Sequence, residues 1–124
     1  MHLRYGNGTT IIKIFLNLSK PEQQRRFLER IEYAEKNWKF SANDIKERAF
    51  FERYQKAYEE AVNNTATKNC PWYVLPADQK WYTRYLVSEI LASTLEKINP
   101  RYPVVDKDKM KNLQECKALL ENEP

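Results

Sequence analysis

At 124 residues the chain has room for one domain or part of one. It is 42% apolar and 31% charged, with a formal net charge of +4. This composition excludes a long apolar membrane span, and the mild positive charge suits an anionic ligand without by itself arguing for nucleic acid.

Cys70 and Cys116 are too few and too far apart for a disulfide framework or a metal cluster, and reduced thiols are expected. The single histidine, His2, lies at the terminus, which leaves no Ser-His-Asp or Cys-His arrangement and no histidine metal site. The first residues carry charge but no apolar stretch ahead of a small-residue cleavage site. No signal peptide is expected, and a cytoplasmic location is the expectation.

In chain order, residues 1–9 are polar, and Gly6-Asn7-Gly8 signals a tight turn into a strand. A phosphate-binding loop would need a glycine-rich stretch closed by Lys and Ser/Thr at fixed spacing. Thr9 and Thr10 are present, but no such lysine is, and the chain has only these two glycines. Thr10 to Leu18 reads as a strand, nearly continuous in apolar residues and broken only by Lys13 and Asn17. A run apolar on both faces predicts a central parallel strand covered by helices on both sides.

Ser19-Lys20-Pro21-Glu22 opens a helix, with Ser19 as cap, Pro21 in the first turn and Glu22 completing a capping box. Phe27, Leu28 and Ile31 form its inner side. Its arginines have two readings. Glu22–Arg26 and Arg25–Glu29 have the spacing of helix ion pairs. Alternatively Arg26 and Arg30, one turn apart, face phosphates.

Lys36-Asn37-Trp38-Lys39-Phe40 reads as a basic, aromatic loop. Trp38 either packs the loop down, the favoured reading, or stacks on a ligand. The lysines suit a polyanion as mobile point charges, or serve only solubility. Ser41 with Asp44 forms a second capping signal, and Asp44 is read as a cap rather than a metal ligand. One helix is predicted from Ala42 to about Asn64, its inner stripe formed by Phe51, Tyr54, Ala57, Tyr58 and Ala61. The stretch 36–62 reads as a lid between two pieces of an α/β domain.

Asn63 to Asn69 is a polar loop. Cys70 to Leu75 reads as a second strand, with Pro71 acceptable only at its start. Pro76-Ala77-Asp78 is a short exit, with Asp78 as cap of a helix running to about Ile98. Lys80 and Arg84 share a face of that helix's first two turns, where the macrodipole disfavours cations. Their position suggests a ligand beyond the carboxyl ends of the strands. Asn99 to Pro103 ends the helix, and Asp106 to Glu121 forms a last one.

The carboxylates are spread over helix surfaces, and no acid/base pair stands out. The chemistry that remains is a positive set: Arg26, Arg30, Lys36, Lys39, Lys80 and Arg84. Such groups stabilise charge on phosphoryl oxygens but supply no nucleophile. Binding of nucleic acid through this charge with Trp38, Trp72 and Trp81 is disfavoured, because Trp72 and Trp81 read as core.

Several segments together resemble the C-terminal part of the family-2 polyphosphate kinases. They are IKIFLNLSKPEQQRRFLER from Ile12, KNWKFSANDIKER from Lys36, YQKAYE from Tyr54, Thr65 to Thr67, and PWYVLPADQKWYTR from Pro71. The resemblance spans about residues 10 to 103. Its departures are Ala34 where proline is common, Phe51 where tryptophan is common, and Ala66 and Cys70 where Ser and Ala are common; none removes a charged candidate.

The resemblance implies an α/β fold, a partial three-layer P-loop kinase similar to thymidylate kinase, with two parallel strands, long lid helices and closing C-terminal helices. Residues 1–104 would be the C-terminal half of the kinase domain, with the lid at about 33–64, and 105–124 a helical tail. It implies phosphoryl transfer between inorganic polyphosphate and a nucleoside mono- or diphosphate. Mg²⁺ would serve the intact enzyme, with no metal ligand and no catalytic residue expected from this chain. Carried over, Arg26, Arg30, Lys36 and Lys39 are the polyphosphate-binding candidates, and Asp78 and Lys80, with Arg84 behind them, the nucleotide-side candidates.

The family's Walker A loop and its Walker B Asp-Arg pair have no counterpart in this sequence. The chain is therefore expected to be a fragment that is inactive alone; the alternative is a polyanion-binding or partner module completed by another chain. An open apolar sheet edge would favour a homo-oligomer.

Overall fold

A computed structural model describes residues 8–124. Its contacts divide it into two compact units, Met1–Glu89 and Ile90–Pro124. The Gly6-Asn7-Gly8 turn and His2 lie at least partly outside the described residues.

In the first unit, strands β1 (Lys13–Asn17) and β2 (Trp72–Pro76) pair in parallel, in register from Lys13↔Trp72 to Asn17↔Pro76. The parallel pairing agrees with the sequence reading, although each strand is shorter than its apolar run. Side chains alternate along a strand, so Lys13, Phe15 and Asn17 share a face with Trp72, Val74 and Pro76. Coverage on both faces is only partial. Ile14 and Phe15 are half-buried, while Leu16 is 53% and Val74 52% exposed. Among the described residues the buried apolar side chains are Leu75 and Ala77 alone, 6% and 7% exposed, and none is fully buried.

Helix α1 (Lys20–Glu32) starts where expected. The Ser19 hydroxyl accepts from the Glu22 N–H at 3.3 Å, and Pro21 sits in the first turn. The reciprocal half of the expected capping box is absent: the Glu22 carboxylate turns to Arg25 and Arg26 instead. Both expected helix ion pairs form, Arg26–Glu22 at 3.1 Å and Arg25–Glu29 at 3.1 Å.

The basic aromatic stretch is not an irregular loop but a turn of 3₁₀ helix, Ala34–Lys39. Asn37 fixes it. Its Nδ2 donates to the carbonyls of Arg30 and Ile31, each at 2.8 Å, and of Tyr33 at 3.1 Å. The carbonyls of Arg30 and Ile31 are among those a helix leaves unpaired at its C-terminus.

The single helix expected from Ala42 to about Asn64 is two helices, α2 (Ala42–Arg48) and α3 (Phe51–Thr65). Ala49 and Phe50 donate to the carbonyls of Lys46 and Glu47, three residues back, which tightens and ends the first helix. Tertiary bonds hold both sides of the break to α1. The Arg48 Nη1 donates to the Lys20 carbonyl at 2.8 Å and to Gln23 Oε1 at 2.9 Å, and the Lys20 ammonium donates to Glu52 at 2.9 Å. Amphipathic periodicity runs through the junction and carries no sign of these contacts. The capping box of α2 is complete: the Asp44 carboxylate accepts from the Ser41 N–H at 3.1 Å. Along α3 Phe51, Gln55 and Val62 are half-buried, and Tyr58, 45% exposed, packs on Phe15 at 4.8 Å; Tyr54, Ala57 and Ala61, expected inside, are exposed.

Lys13 closes the amino end of the strand pair. Only 7% exposed, it donates to the Thr65 carbonyl at 2.7 Å, at the last residue of α3. Its ammonium also lies 5.2 Å from the Trp72 ring centroid, and the Trp72 indole donates to Thr65 Oγ1 at 2.7 Å.

Helix α4 (Lys80–Ile98) begins in the first unit and ends in the second, where Asn99 leaves it with φ of 48°. Asparagine tolerates this left-handed conformation better than most residues. Helix α5 (Lys107–Glu121) follows, with the Asp106 carboxylate accepting from the Lys109 N–H at 2.7 Å. No described helix is long and apolar enough to cross a membrane.

Candidate functional site

β1 and β2 end side by side at Asn17 and Pro76. Each runs directly into a helix, α1 and α4, as in open α/β sheets where ligands sit beyond the carboxyl ends of the strands. A groove of about 610 Å³ lies there, lined by Asn17, Ser19, Val74, Pro76, Asp78, Gln79 and Tyr82.

The turn after β2 is tied down at several points. The Ala77 N–H donates to the Asn17 carbonyl at 3.1 Å, extending the ladder. The Asp78 carboxylate accepts from the Ser19 N–H at 2.8 Å. Asp78 thus serves the start of α1; its expected role as cap of the following helix is not what its hydrogen bond shows. This bond to Ser19 holds the Asp78 carboxyl below the usual aspartate range. The Arg26 Nη2 donates to the carbonyls of Ala77 at 2.7 Å and Asp78 at 3.2 Å, while its Nε donates to Glu22. Thr83 Oγ1 donates to the Pro76 carbonyl at 2.7 Å. Glu22, hydrogen-bonded first by Arg25 and then by Arg26, is held down to about 2.

Arg26, with 21% of its side chain exposed, therefore meets Asp78 directly. Arg30 lies one turn further along α1, its guanidinium 5.6 Å from the Phe27 ring centroid. Lys36 folds back onto Glu29, whose carboxyl it lowers, and lies 5.3 Å from the Tyr33 ring centroid. Lys39 lies over Trp38 at 5.3 Å. Lys80 and Arg84 are exposed on the first turns of α4, and among the described residues neither side chain makes an ion pair or hydrogen bond. Among the candidates, then, hydrogen bonding joins Arg26 to Asp78, while Arg30, Lys36 and Lys39 follow along α1 and the 3₁₀ turn. None of the six cations lines the strand-end groove.

Two expectations about aromatic residues are corrected. Trp38 does not pack the loop down: it is 78% exposed, because Asn37 and not the indole anchors the 3₁₀ turn. Trp81, expected in the core, is 68% exposed, with its indole N–H donating to Gln79 Oε1 at 3.1 Å. Sequence reasoning did not find the roles of Asn37, Arg48 and Thr83.

The family model described as Polyphosphate kinase 2 (PPK2) matches residues 2–103. A protein of Leptolyngbya boryana, described as an uncharacterized protein in the chlN 3'region, is 49% identical over 117 residues, covering 94% of this chain and 86% of its own. An ADP-polyphosphate phosphotransferase of Rhodopseudomonas palustris is 44% identical over 116 residues; the match covers 94% of this chain but only 40% of that relative. The crystal structure of polyphosphate kinase 2 from Arthrobacter aurescens TC1 superposes with a TM-score of 0.87 at 36% identity, over 98% of this chain and 42% of that one. The expected fold, two parallel strands within a mostly helical part of a P-loop kinase, is the fold observed. From the family match and this superposition, the chain belongs to the polyphosphate kinase 2 family.

Proposed function

We propose that this chain supplies the lid and the nucleotide-side turn of a phosphotransferase acting between inorganic polyphosphate and a nucleoside mono- or diphosphate. The observation that carries the reading is the parallel strand pair with a groove at its carboxyl ends, in a chain superposing on a polyphosphate kinase 2 at TM-score 0.87. Arg30, Lys36 and Lys39, with the Nη1 of Arg26, are assigned to the polyphosphate. Asp78, Lys80 and Arg84 are assigned to the nucleotide side. Their chemistry is positioning and charge neutralisation, which phosphoryl transfer relies on.

The carboxylate lining the groove, Asp78, is engaged by the Ser19 N–H, and the other polar lining groups are amides and hydroxyls. That donor set does not fit Mg²⁺, which takes carboxylates together with substrate phosphates. In the proposed reaction the ion is held by residues outside these 124.

The sequence has no glycine-rich loop closed by lysine, so these residues alone are proposed to be inactive. A second reading, a polyanion-binding module completed by a separate chain, is favoured by the Leptolyngbya relative, 86% of which is spanned. The thin core and the exposed Leu16 and Val74 beside unpaired strand edges support self-association or assembly with such a chain. A cytoplasmic location fits the proposed substrates, and neither a membrane nor nucleic acid is a proposed partner.

The test is phosphate transfer from polyphosphate to ADP or AMP with Mg²⁺, measured for this chain alone and mixed with a family member's Walker-bearing part. No turnover alone and turnover on mixing are expected. Turnover by the chain alone refutes the inactivity; no binding of polyphosphate or nucleotide in either setting refutes the function.

A further inference from the structure

Four residues at the carboxyl end of the strands close a ring. The Ser19 N–H donates to the Asp78 carboxylate, and Arg26 Nη2 donates to the Asp78 carbonyl. Arg26 Nε donates to the Glu22 carboxylate, and the Glu22 N–H donates to the Ser19 hydroxyl. The ring joins the turn after β1 to the turn after β2 across 59 residues of sequence.

We propose that Arg26 is a positioning residue, which holds the turn after β2 against the start of α1 and so sets where Asp78 and Lys80 stand for a nucleoside phosphate in the strand-end groove.

Several observations carry this. Ala77 is 7% exposed, and its carbonyl accepts from Arg26 at 2.7 Å. A carbonyl this sheltered is costly to leave unpaired, and hydrogen bonds to a charged donor are among the stronger ones. The guanidinium is itself fixed on Glu22, so the fork reaches the turn already oriented. Lysine, a single point of charge, cannot bond Glu22 on one side and both carbonyls on the other. From the turn, the restraint passes to α4 through Thr83, whose hydroxyl holds the Pro76 carbonyl and so fixes the first turn bearing Lys80. Arg25, one residue earlier, pairs with Glu22 and Glu29 but makes no hydrogen bond to the turn, and so provides a control on the same helix.

The assignment of the groove to a nucleotide rests on the proposed function; the positioning of the turn does not. The experiment compares the 124-residue chain with its Arg26→Lys and Arg25→Lys variants. Its first readouts are hydrogen exchange and the amide proton shift of Ser19, and its second is ADP affinity; circular dichroism confirms that each variant is folded. Arg26→Lys is expected to lower Ser19 protection by about tenfold, to move the amide shift toward that of a free amide, and to weaken ADP binding by about tenfold. Arg25→Lys is expected to leave all three unchanged.

Unchanged Ser19 protection and shift in a folded Arg26→Lys protein overturn the proposal, as does a weakened Ser19 with undiminished ADP binding. Equal losses in Arg25→Lys also overturn it, since the effect would then belong to the helix charge as a whole. If the wild-type chain binds no ADP while Ser19 responds as expected, the groove's assignment fails and the positioning role stands.

Discussion

At the amino end of the strand pair, Lys13 reaches one carbonyl, that of Thr65, and is enclosed by Trp72; it is 7% exposed. At the carboxyl end, Arg26 reaches two carbonyls, keeps 21% of its side chain exposed, and stands beside a groove. Both cations satisfy backbone oxygens that would otherwise be left unpaired. The lysine is spent entirely within the fold, at a helix C-terminus where a positive charge is also favoured by the peptide dipoles. The arginine retains Nη1, which makes no hydrogen bond among the described residues. The difference teaches that burial of a cation marks structure, while a half-buried cation with an unused donor marks a place where structure and ligand can share one side chain.

Breaking the amino end should have the largest effect on stability. Lys13→Met leaves the Thr65 carbonyl without its donor and is expected to destabilise the chain by about 2 kcal/mol. Urea unfolding should show a lower midpoint, while ADP affinity at the other end stays unchanged. A matching loss of affinity would mean that the two ends do not act separately.

Acid should separate the ends more gently. Glu22 has an ordinary value of 4.5 and is held near 2 by Arg25 and Arg26. Asp78 is lowered from 3.8 by Ser19, with Arg26 helping and Glu22 opposing. Because folding depresses both values, their stabilisation is complete above the ordinary values and is lost as pH falls through the folded ones. Between about pH 4.5 and 2, Ser19 protection should therefore fall while the Trp72 indole N–H, whose lock contains no carboxylate, stays protected. Simultaneous loss at both ends would show global unfolding in place of local loosening. The smallest effect is expected from Thr83→Val, which removes an exposed hydroxyl bond to Pro76 and should cost under ~1 kcal/mol in urea unfolding.

What the sequence made legible was mostly local. The caps Ser19 and Ser41 each act within three residues, and Arg25–Glu29 and Arg26–Glu22 within one helical turn. The strands were legible because an apolar run bounded by turn residues has few other folds available. The Ser19–Asp78 bond was not legible, because nothing in either residue type names a partner 59 positions away. Glu22 looked like the natural second half of the Ser19 box, but Asp78 takes the Ser19 N–H and the arginines take the Glu22 carboxylate. The break at Ala49–Phe50 was hidden for a similar reason: the bonds of Arg48 and Glu52 to Lys20 on α1 bracket it. Trp81 sits at a position with core periodicity, but periodicity does not reveal whether another element arrives to cover it. The cation set was legible as residue types, whereas the engagement of Lys36 with Glu29 and of Arg26 with the turn required coordinates.

Asn37 has one more consequence. With two bonds to the last carbonyls of α1 and a third to that of Tyr33, it ties the Trp38–Lys39 tip to the helix end. The tip is thereby made part of the end of the helix, and extended backbone resumes only at Phe40 and Ser41. In the proposed reaction Arg30, Lys36 and Lys39 would therefore be presented to a phosphate chain in fixed order from one rigid end of the helix.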